Sequence, residues 1–194
     1  MTGNGAGVAR ERPVLLILAH PALERSRANR AMAEAAADVD GVEVHDLYET
    51  YPDFLVDVAS EQKRLVAHDV VVLQFPLYWY STPSLLKEWI DSVWLHGFAY
   101  GRGGRALEGK TLLVACSAGS PESDYMDGGA HRYAVQDFLR PLERTAALCR
   151  MRWAEPFILH QSRLRDDASL AGAVAEYRAC LARFAQPSDR ERPQ

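Results

Sequence analysis

Short apolar runs that each give way to a helical pattern narrow this fold more than any other feature. Val14 to Ala19, Val70 to Phe75 and Thr111 to Cys116 are almost wholly apolar over a strand's length. A run of that length without alternation marks a strand buried on both faces, and hence a parallel sheet covered on both sides. After the first run, Ala28, Ala31, Met32, Ala35 and Ala36 recur at i, i+3, i+4, i+7 and i+8, one apolar stripe of a helix that Gly41 stops. Val42 to Leu47 alternates, as an outer strand does. Glu61 to Ala67 reads as a short helix before the second run, which Asp69 opens and Pro76 ends. Pro83 suits the first turn of a helix whose stripe is Leu86, Trp89, Ile90 and Val93. Val135, Phe138, Leu139 and Leu142 mark a fourth helix. A fifth strand belongs within Met151 to Leu159, and Leu170, Val174, Tyr177, Leu181 and Phe184 mark a closing helix.

Strand and helix alternate with no repeat and no linker. The expectation is an α/β fold, a doubly wound five-stranded parallel sheet with right-handed crossovers placing helices on both faces. One domain is expected over 14–185, with flexible tails at 1–13 and 186–194.

Composition excludes several functions. The net charge is -4, so no basic excess exists to grip a phosphate backbone, and nucleic acid is not an expected partner. The longest apolar run is far below the ~20 residues of a membrane span. The polar, Gly-rich N-terminus has no signal core, and Cys116, Cys149 and Cys180 are spaced as reduced thiols, so a cytoplasmic location is expected. No His or Cys spacing suggests a metal.

In a doubly wound sheet, ligands bind beyond the carboxyl ends of the strands, where the strand order switches. That directs attention to three loops. In the first, His20 to Asn29, Ser26 stands at an N-cap, and a helix N-terminus offers N–H groups and positive potential to a phosphate. His20, Arg25 and Arg27 add donors; the alternative is simple capping with solvated arginines. The second loop, Pro76-Leu77-Tyr78-Trp79-Tyr80-Ser81-Thr82-Pro83, sets three adjacent aromatics between prolines. Either a flat apolar ligand such as a flavin ring covers them, or they pack under neighbouring loops. The third loop runs from Ser117, Ala118, Gly119, Ser120 and Pro121 to His131, with Tyr125 and His131 as a donor pair or as chance members of a surface loop. Gly104 to Thr111 matches G-x-x-x-x-G-K-[ST], but it leads into a strand rather than a helix, so it lacks the helix N-terminus that holds phosphate in a true P-loop.

These loops, with Leu47-Tyr48, Tyr51-Pro52-Asp53-Phe54, Leu85 to Asp91 and His96-Gly97-Phe98-Ala99-Tyr100-Gly101, resemble the NAD(P)H dehydrogenase (quinone) family of flavodoxin-like quinone reductases. The likeness is strongest to its branch of ancillary oxidoreductases of glutathione-regulated potassium-efflux systems, and it covers Val14 to Phe157. The resemblance implies FMN, with FAD as the alternative, a homodimer, and ping-pong hydride transfer from NAD(P)H to a quinone-like acceptor. It places His20, Ser26, Arg27, Ala28 and Asn29 at the flavin phosphate. Leu77 to Tyr80 fall along the ring, with the N–H groups of Trp79 and Tyr80 toward N5 and O4, and Pro76 and Ser117 also belong to the cofactor site. Ala118 to Pro121 face the pyrimidine end, Tyr125 and His131 match the pair that stabilises reduced flavin, and Phe98 and Tyr100 match a segment that reaches the partner subunit's site. Ser120-Pro121 depart from the family, which commonly has glycine there, and Pro121 removes a donor. A second implied reading is a flavin-binding regulatory subunit of a membrane potassium-efflux protein, whose own turnover is incidental.

Overall fold

The computed structural model describes residues 13–186, so the expected tails over 1–13 and 186–194 lie outside the described residues apart from Pro13 and Gln186. The chain runs β1 (Val14–Leu18), α1 (Arg27–Ala37), β2 (Val42–Asp46), α2 (Leu47–Thr50), α3 (Val58–Ala67), β3 (Val70–Pro76) and α4 (Ser84–Val93). It continues through β4 (Thr111–Ser117), α5 (Val135–Phe138), α6 (Arg140–Leu148), β5 (Arg152–Trp153), β6 (Phe157–Leu159) and α7 (Asp167–Ala185). All pairs are parallel, in the order β2-β1-β3-β4-β5, with β6 also on β4. This is the flavodoxin-like α/β architecture.

The apolar runs are unbroken because both faces are covered. Side chains alternate across a strand, so Val14, Leu16, Leu18, Val70, Val72, Leu113 and Ala115 point to one face. There Met32 and Ala36 of α1 and Leu170, Tyr177 and Leu181 of α7 meet them. Leu15, Ile17, Val71, Leu73, Phe75, Leu112 and Val114 point to the other, against Leu65 of α3, Leu85, Leu86 and Trp89 of α4, and Leu142 and Ala146 of α6.

Four boundaries differ from expectation, each for a local reason. The fifth strand is split: Trp153 pairs with Leu112 and Phe157 with Ala115, so Ala154, Glu155 and Pro156 face only Leu113 and Val114. One residue too many forces a bulge, and Pro156 has no N–H for the ladder. β2 stops at Asp46 because its carboxylate accepts from the N–H groups of Tyr48 (2.9 Å) and Glu49 (3.2 Å), capping α2. α3 begins at Val58, ahead of Glu61, because Asp57 caps the Ser60 N–H at 3.1 Å. The helix expected through Leu142 breaks at Leu139 into α5 and α6, with Pro141 in the first turn of α6.

Several residues of the family-like segments serve one buried knot. Tyr51 Oη and Trp89 Nε1 each donate to the Glu61 carboxylate at 2.8 Å, and His45 Nε2 lies 2.9 Å from it. Glu61 is fully buried. Burial works to raise its pKa, but hydrogen bonding and charge from His45, with the Trp89 and Tyr51 donors, outweigh that and hold the carboxyl below its ordinary value. Burial and the adjacent Glu61 push Tyr51 up to about 12. The knot ties the end of β2 to α3 and α4. Among the described residues, no helix is long and apolar enough to cross a membrane.

Candidate functional site

β1 and β3 are neighbours, yet the chain leaves β1 for β2 on one side and then crosses to β3 on the other. At that switch a cleft of about 790 Å³ opens beyond the carboxyl ends of the strands. Its volume is that of a small-molecule site. Its walls are His20, Ser26 to Asn29, Pro76, Leu77, Tyr78, Ser117, Gly119 and Ser120, so all three sequence-selected loops meet there.

The first loop behaves as its sequence implies. Ser26 caps α1, its Oγ accepting from the Asn29 N–H and from Asn29 Nδ2, both at 3.2 Å. Asn29 Nδ2 also donates to Ser117 Oγ at 2.9 Å. Gln74 Nε2 donates to the Asn29 carbonyl at 3.0 Å, and Tyr177 Oη to Gln74 Oε1 at 3.0 Å. A buried polar chain from α7 through β3 therefore fixes the start of α1 against β4. The N–H groups of Arg27 and Ala28 find no partner among the described residues, and Asn29 Oδ1 is buried without one. His20 is buried, and its Nδ1 accepts from the Ala22 N–H at 3.1 Å, which leaves Nε2 as the protonated nitrogen. Burial lowers its pKa against the pull of Glu24 and Asp46, so the ring is a neutral donor.

Arg25 and Arg27 both line the cleft, with different side-chain partners. The Arg27 guanidinium donates to the Arg165 carbonyl and lies 3.4 Å from Asp167, so it is committed to the start of α7. Arg25 sits 3.6 Å from Glu24. What Arg27 offers at the helix start is its backbone N–H.

The second loop is a two-residue reverse turn. The Tyr78 N–H donates to the Ser81 carbonyl at 3.0 Å and the Ser81 N–H to the Tyr78 carbonyl at 2.9 Å. Trp79 (φ 49°) and Tyr80 (φ 61°) are both left-handed. Such turns strongly prefer Asn and Gly, because a Cβ in this region costs roughly 1–2 kcal/mol per residue. Trp79 is 93% exposed and Tyr80 47%. Neither residue's N–H has a partner among the described residues.

The third loop folds back onto the second. The Tyr125 ring, mostly buried, stacks on His131 with centroids 4.3 Å apart and planes at 26°. His131 Nδ1 lies 3.3 Å from Tyr80 Oη and Nε2 lies 3.0 Å from Ser120 Oγ. Tyr80 packs on Phe138 at 5.0 Å. Burial raises the Tyr125 pKa, helped by Tyr80, Cys116 and Asp124 and opposed by the Ser120 backbone. Tyr80, Tyr125, His131 and Phe138 form a second cluster, which meets the cleft where Ser120, bonded to His131, lines its wall. Ala118 is pinned to the fifth strand, donating to Leu159 O at 2.9 Å and accepting from the Ser162 N–H at 3.0 Å. Pro121 leads into the turn Glu122–Asp124.

Sequence reasoning missed Ser162, Arg163 and Leu164, which wall the cleft beyond β6, and His160, whose ring lies 5.5 Å from Tyr125. The rule about carboxyl ends applies to the fifth strand too, but an unplaced strand has no readable end. Phe98 and Tyr100 are half-buried against their own core, and Tyr100 lines an apolar cavity of about 320 Å³ between α4 and α6. The P-loop look-alike is structural: Lys110 is buried and its ammonium donates to the carbonyls of Val66 (3.3 Å) and His68, at the C-terminal end of α3. The Cys116 thiol, under the end of β4, is pushed up to about 12 by burial and is no nucleophile.

With this geometry in view, the comparisons are specific. A family model described as flavodoxin-like fold matches residues 12–181. The chain is 48% identical, over 87% of its length and 92% of the relative's, to the glutathione-regulated potassium-efflux system ancillary protein KefG of Cronobacter sakazakii. A structure described as a thermophilic tryptophan halogenase from Streptomycin violaceusniger is 43% identical, with a TM-score of 0.84, over 86% of this chain and 97% of that one. General stress protein 14 of Treponema denticola, solved in complex with FMN, is 39% identical with a TM-score of 0.81, over 89% and 99%. An NADPH-quinone reductase of P. pentosaceus is 32% identical with a TM-score of 0.79, over 86% and 96%.

Proposed function

This chain belongs to the family with the flavodoxin-like fold, and on that footing we propose that it is a flavin-dependent NAD(P)H:quinone oxidoreductase holding FMN in the β1/β3 cleft. The observation that carries the proposal is the Trp79–Tyr80 turn. Two bulky residues hold a left-handed conformation that disfavours them, with unpartnered N–H groups and a Trp ring in solvent. Strain of this kind persists where it serves binding, and a flat, hydrogen-bonding ring satisfies both the aromatic surface and the donors. The FMN-bound and quinone-reductase relatives support the same reading.

The residues present fit FMN. The N–H groups of Arg27 and Ala28, the Ser26 cap and the neutral His20 donor would take the phosphate, and buried, unpartnered Asn29 Oδ1 would accept a ligand hydroxyl. Leu77 to Tyr80 would lie along the ring, and Ser117 to Pro121 at its pyrimidine end. Bound FMN would supply hydride acceptance and release between NAD(P)H and a quinone-like acceptor. The protein's part is electrostatic and positional. Tyr125 would offer its hydroxyl as a donor to the bound ring, and His131, stacked on it, would offset negative charge there. FAD is the alternative cofactor. A homodimer working in the cytoplasm, in which the Phe98 to Tyr100 segment meets the partner's site, completes the reading.

Purified protein loaded with FMN should show flavin absorbance, bleach anaerobically with NADH or NADPH, and recover its colour on addition of a quinone. A supplemented sample without flavin bands, or one that neither nucleotide bleaches, rejects the proposal.

The 48% identity to a KefG protein favours a second role, as the flavin-binding ancillary subunit of a potassium-efflux antiporter. A flavin-loaded but turnover-deficient variant that still activates potassium efflux in cells would separate this role from catalysis.

A further inference from the structure

Both ring nitrogens of His131 are engaged by hydroxyls from different loops. Tyr80 Oη from the second loop faces Nδ1 at 3.3 Å, and Ser120 Oγ from the third faces Nε2 at 3.0 Å. The ring so held lies flat on Tyr125. Ser120 stands where the resembling family commonly has glycine, which could make no such bond. Tyr80 is likewise one of the two residues forced into the left-handed turn, so its placement costs backbone strain.

We propose that Tyr80 and Ser120 are positioning residues that clamp His131 in one orientation and one tautomer, with the hydrogen bonds running from Tyr80 to His131 to Ser120. The direction follows from the donors. A phenol (pKa ~10) is far more acidic than an aliphatic alcohol, so Tyr80 O–H donates to Nδ1 and Nε2–H donates to Ser120 Oγ. His131 is then the Nε2–H tautomer. A proton taken up by the ring adds at Nδ1, on the side of the half-exposed Tyr80 hydroxyl. Tyr80 Oη then turns from donor to acceptor, and no heavy atom has to move. The other titratable or charged groups around the ring are Tyr125 on its stacked face, His160 beyond Tyr125, and Asp124 and Arg132 along its own loop. None of these takes the place of either hydroxyl at the ring nitrogens.

The clamp gains its purpose from the oxidoreductase reading and rests on it there, but its geometry is tested without turnover. Long-range 15N–1H imidazole spectra of the FMN-supplemented protein should show His131 as the Nε2–H tautomer. Tyr80→Phe should mix the tautomers, Ser120→Ala should shift the Nε2 resonance, and Ser120→Thr should restore it. In single-turnover reduction by NAD(P)H at full flavin occupancy, Tyr80→Phe and Ser120→Ala should each slow the step by about 2- to 10-fold, the worth of one ordinary hydrogen bond, and Ser120→Thr should recover it. A tautomer ratio and Nε2 shift unchanged in both deletions overturn the clamp, whatever the rates. Altered spectra in a protein that no nucleotide reduces leave the clamp standing and reject the oxidoreductase reading instead.

Discussion

Replacing Trp79 tests whether the turn at the cleft stores strain. Its side chain is 93% exposed, so truncation removes almost no packing. Trp79→Ala keeps a Cβ in a left-handed residue, whereas Trp79→Gly removes it. Relief of the left-handed penalty is roughly 1–2 kcal/mol. Glycine's greater freedom in the unfolded chain takes back about 0.4–1 kcal/mol. The glycine variant should therefore be more stable than the alanine variant by about 0.8 kcal/mol at the middle of these ranges and by up to about 1.6 kcal/mol. For a chain of this size the middle value raises Tm by about 1–4 °C. Differential scanning calorimetry on flavin-free protein measures this directly. Both variants should bind FMN more weakly than wild type by a similar factor, since both lose the indole. An alanine variant more stable than the glycine variant would falsify the claim that the turn is left-handed and strained in solution.

The remaining predictions concern chemistry, pH and the helix cap. Tyr125→Phe and His131→Gln should each slow flavin reduction by about 10- to 150-fold at nearly full flavin content, as loss of a 1.5–3 kcal/mol bond to developing charge requires; wild-type stopped-flow rates in both would leave the pair without a catalytic role. Glu61 has a depressed pKa in the folded state, so its contribution to stability is present above the ordinary carboxylate pKa of ~4.3 and is lost as pH falls through the lower folded value. Denaturant titrations from pH 6 to pH 2 should show this loss, and Glu61→Gln should flatten it while costing about 1.5–3 kcal/mol at neutral pH. Ser26→Ala should cost about 1 kcal/mol, read as a Tm drop of about 2–4 °C, and should weaken FMN loading because the start of α1 loses its cap.

The central strands were legible because burial on both sides of the sheet leaves only apolar residues in them, and no loop or surface helix imitates that. The fifth strand was not, for the opposite reason. Arg152 is exposed, Trp153 and Phe157 are half-buried, and Pro156 sits within the segment, so neither apolar continuity nor clean alternation survives at this edge. Its blurred end hid the turn of Ser162, Arg163 and Leu164, and with it one wall of the cleft. The break at Leu139 was invisible because apolar periodicity runs straight through it. Pro141 is compatible with either one helix or the start of a second.

Within the site, legibility followed sequence distance. The Ser26 cap spans three residues, so residue type alone identified it. The tie from Tyr80 to His131 spans 51 residues and that from Ser120 to His131 spans 11, and only the folded sheet brings those loops together. The turn is the instructive case. Its aromatics were conspicuous in the sequence, but its handedness was not, because residue preferences argue against Trp and Tyr in left-handed positions. A local rule broken there is paid for by something beyond local structure. Tyr80 shows part of the compensation within the chain, through Phe138 and His131. Trp79, with no such contact and an open N–H, has its compensation still to come, and a ligand that stacks on the indole and accepts from that N–H would supply both.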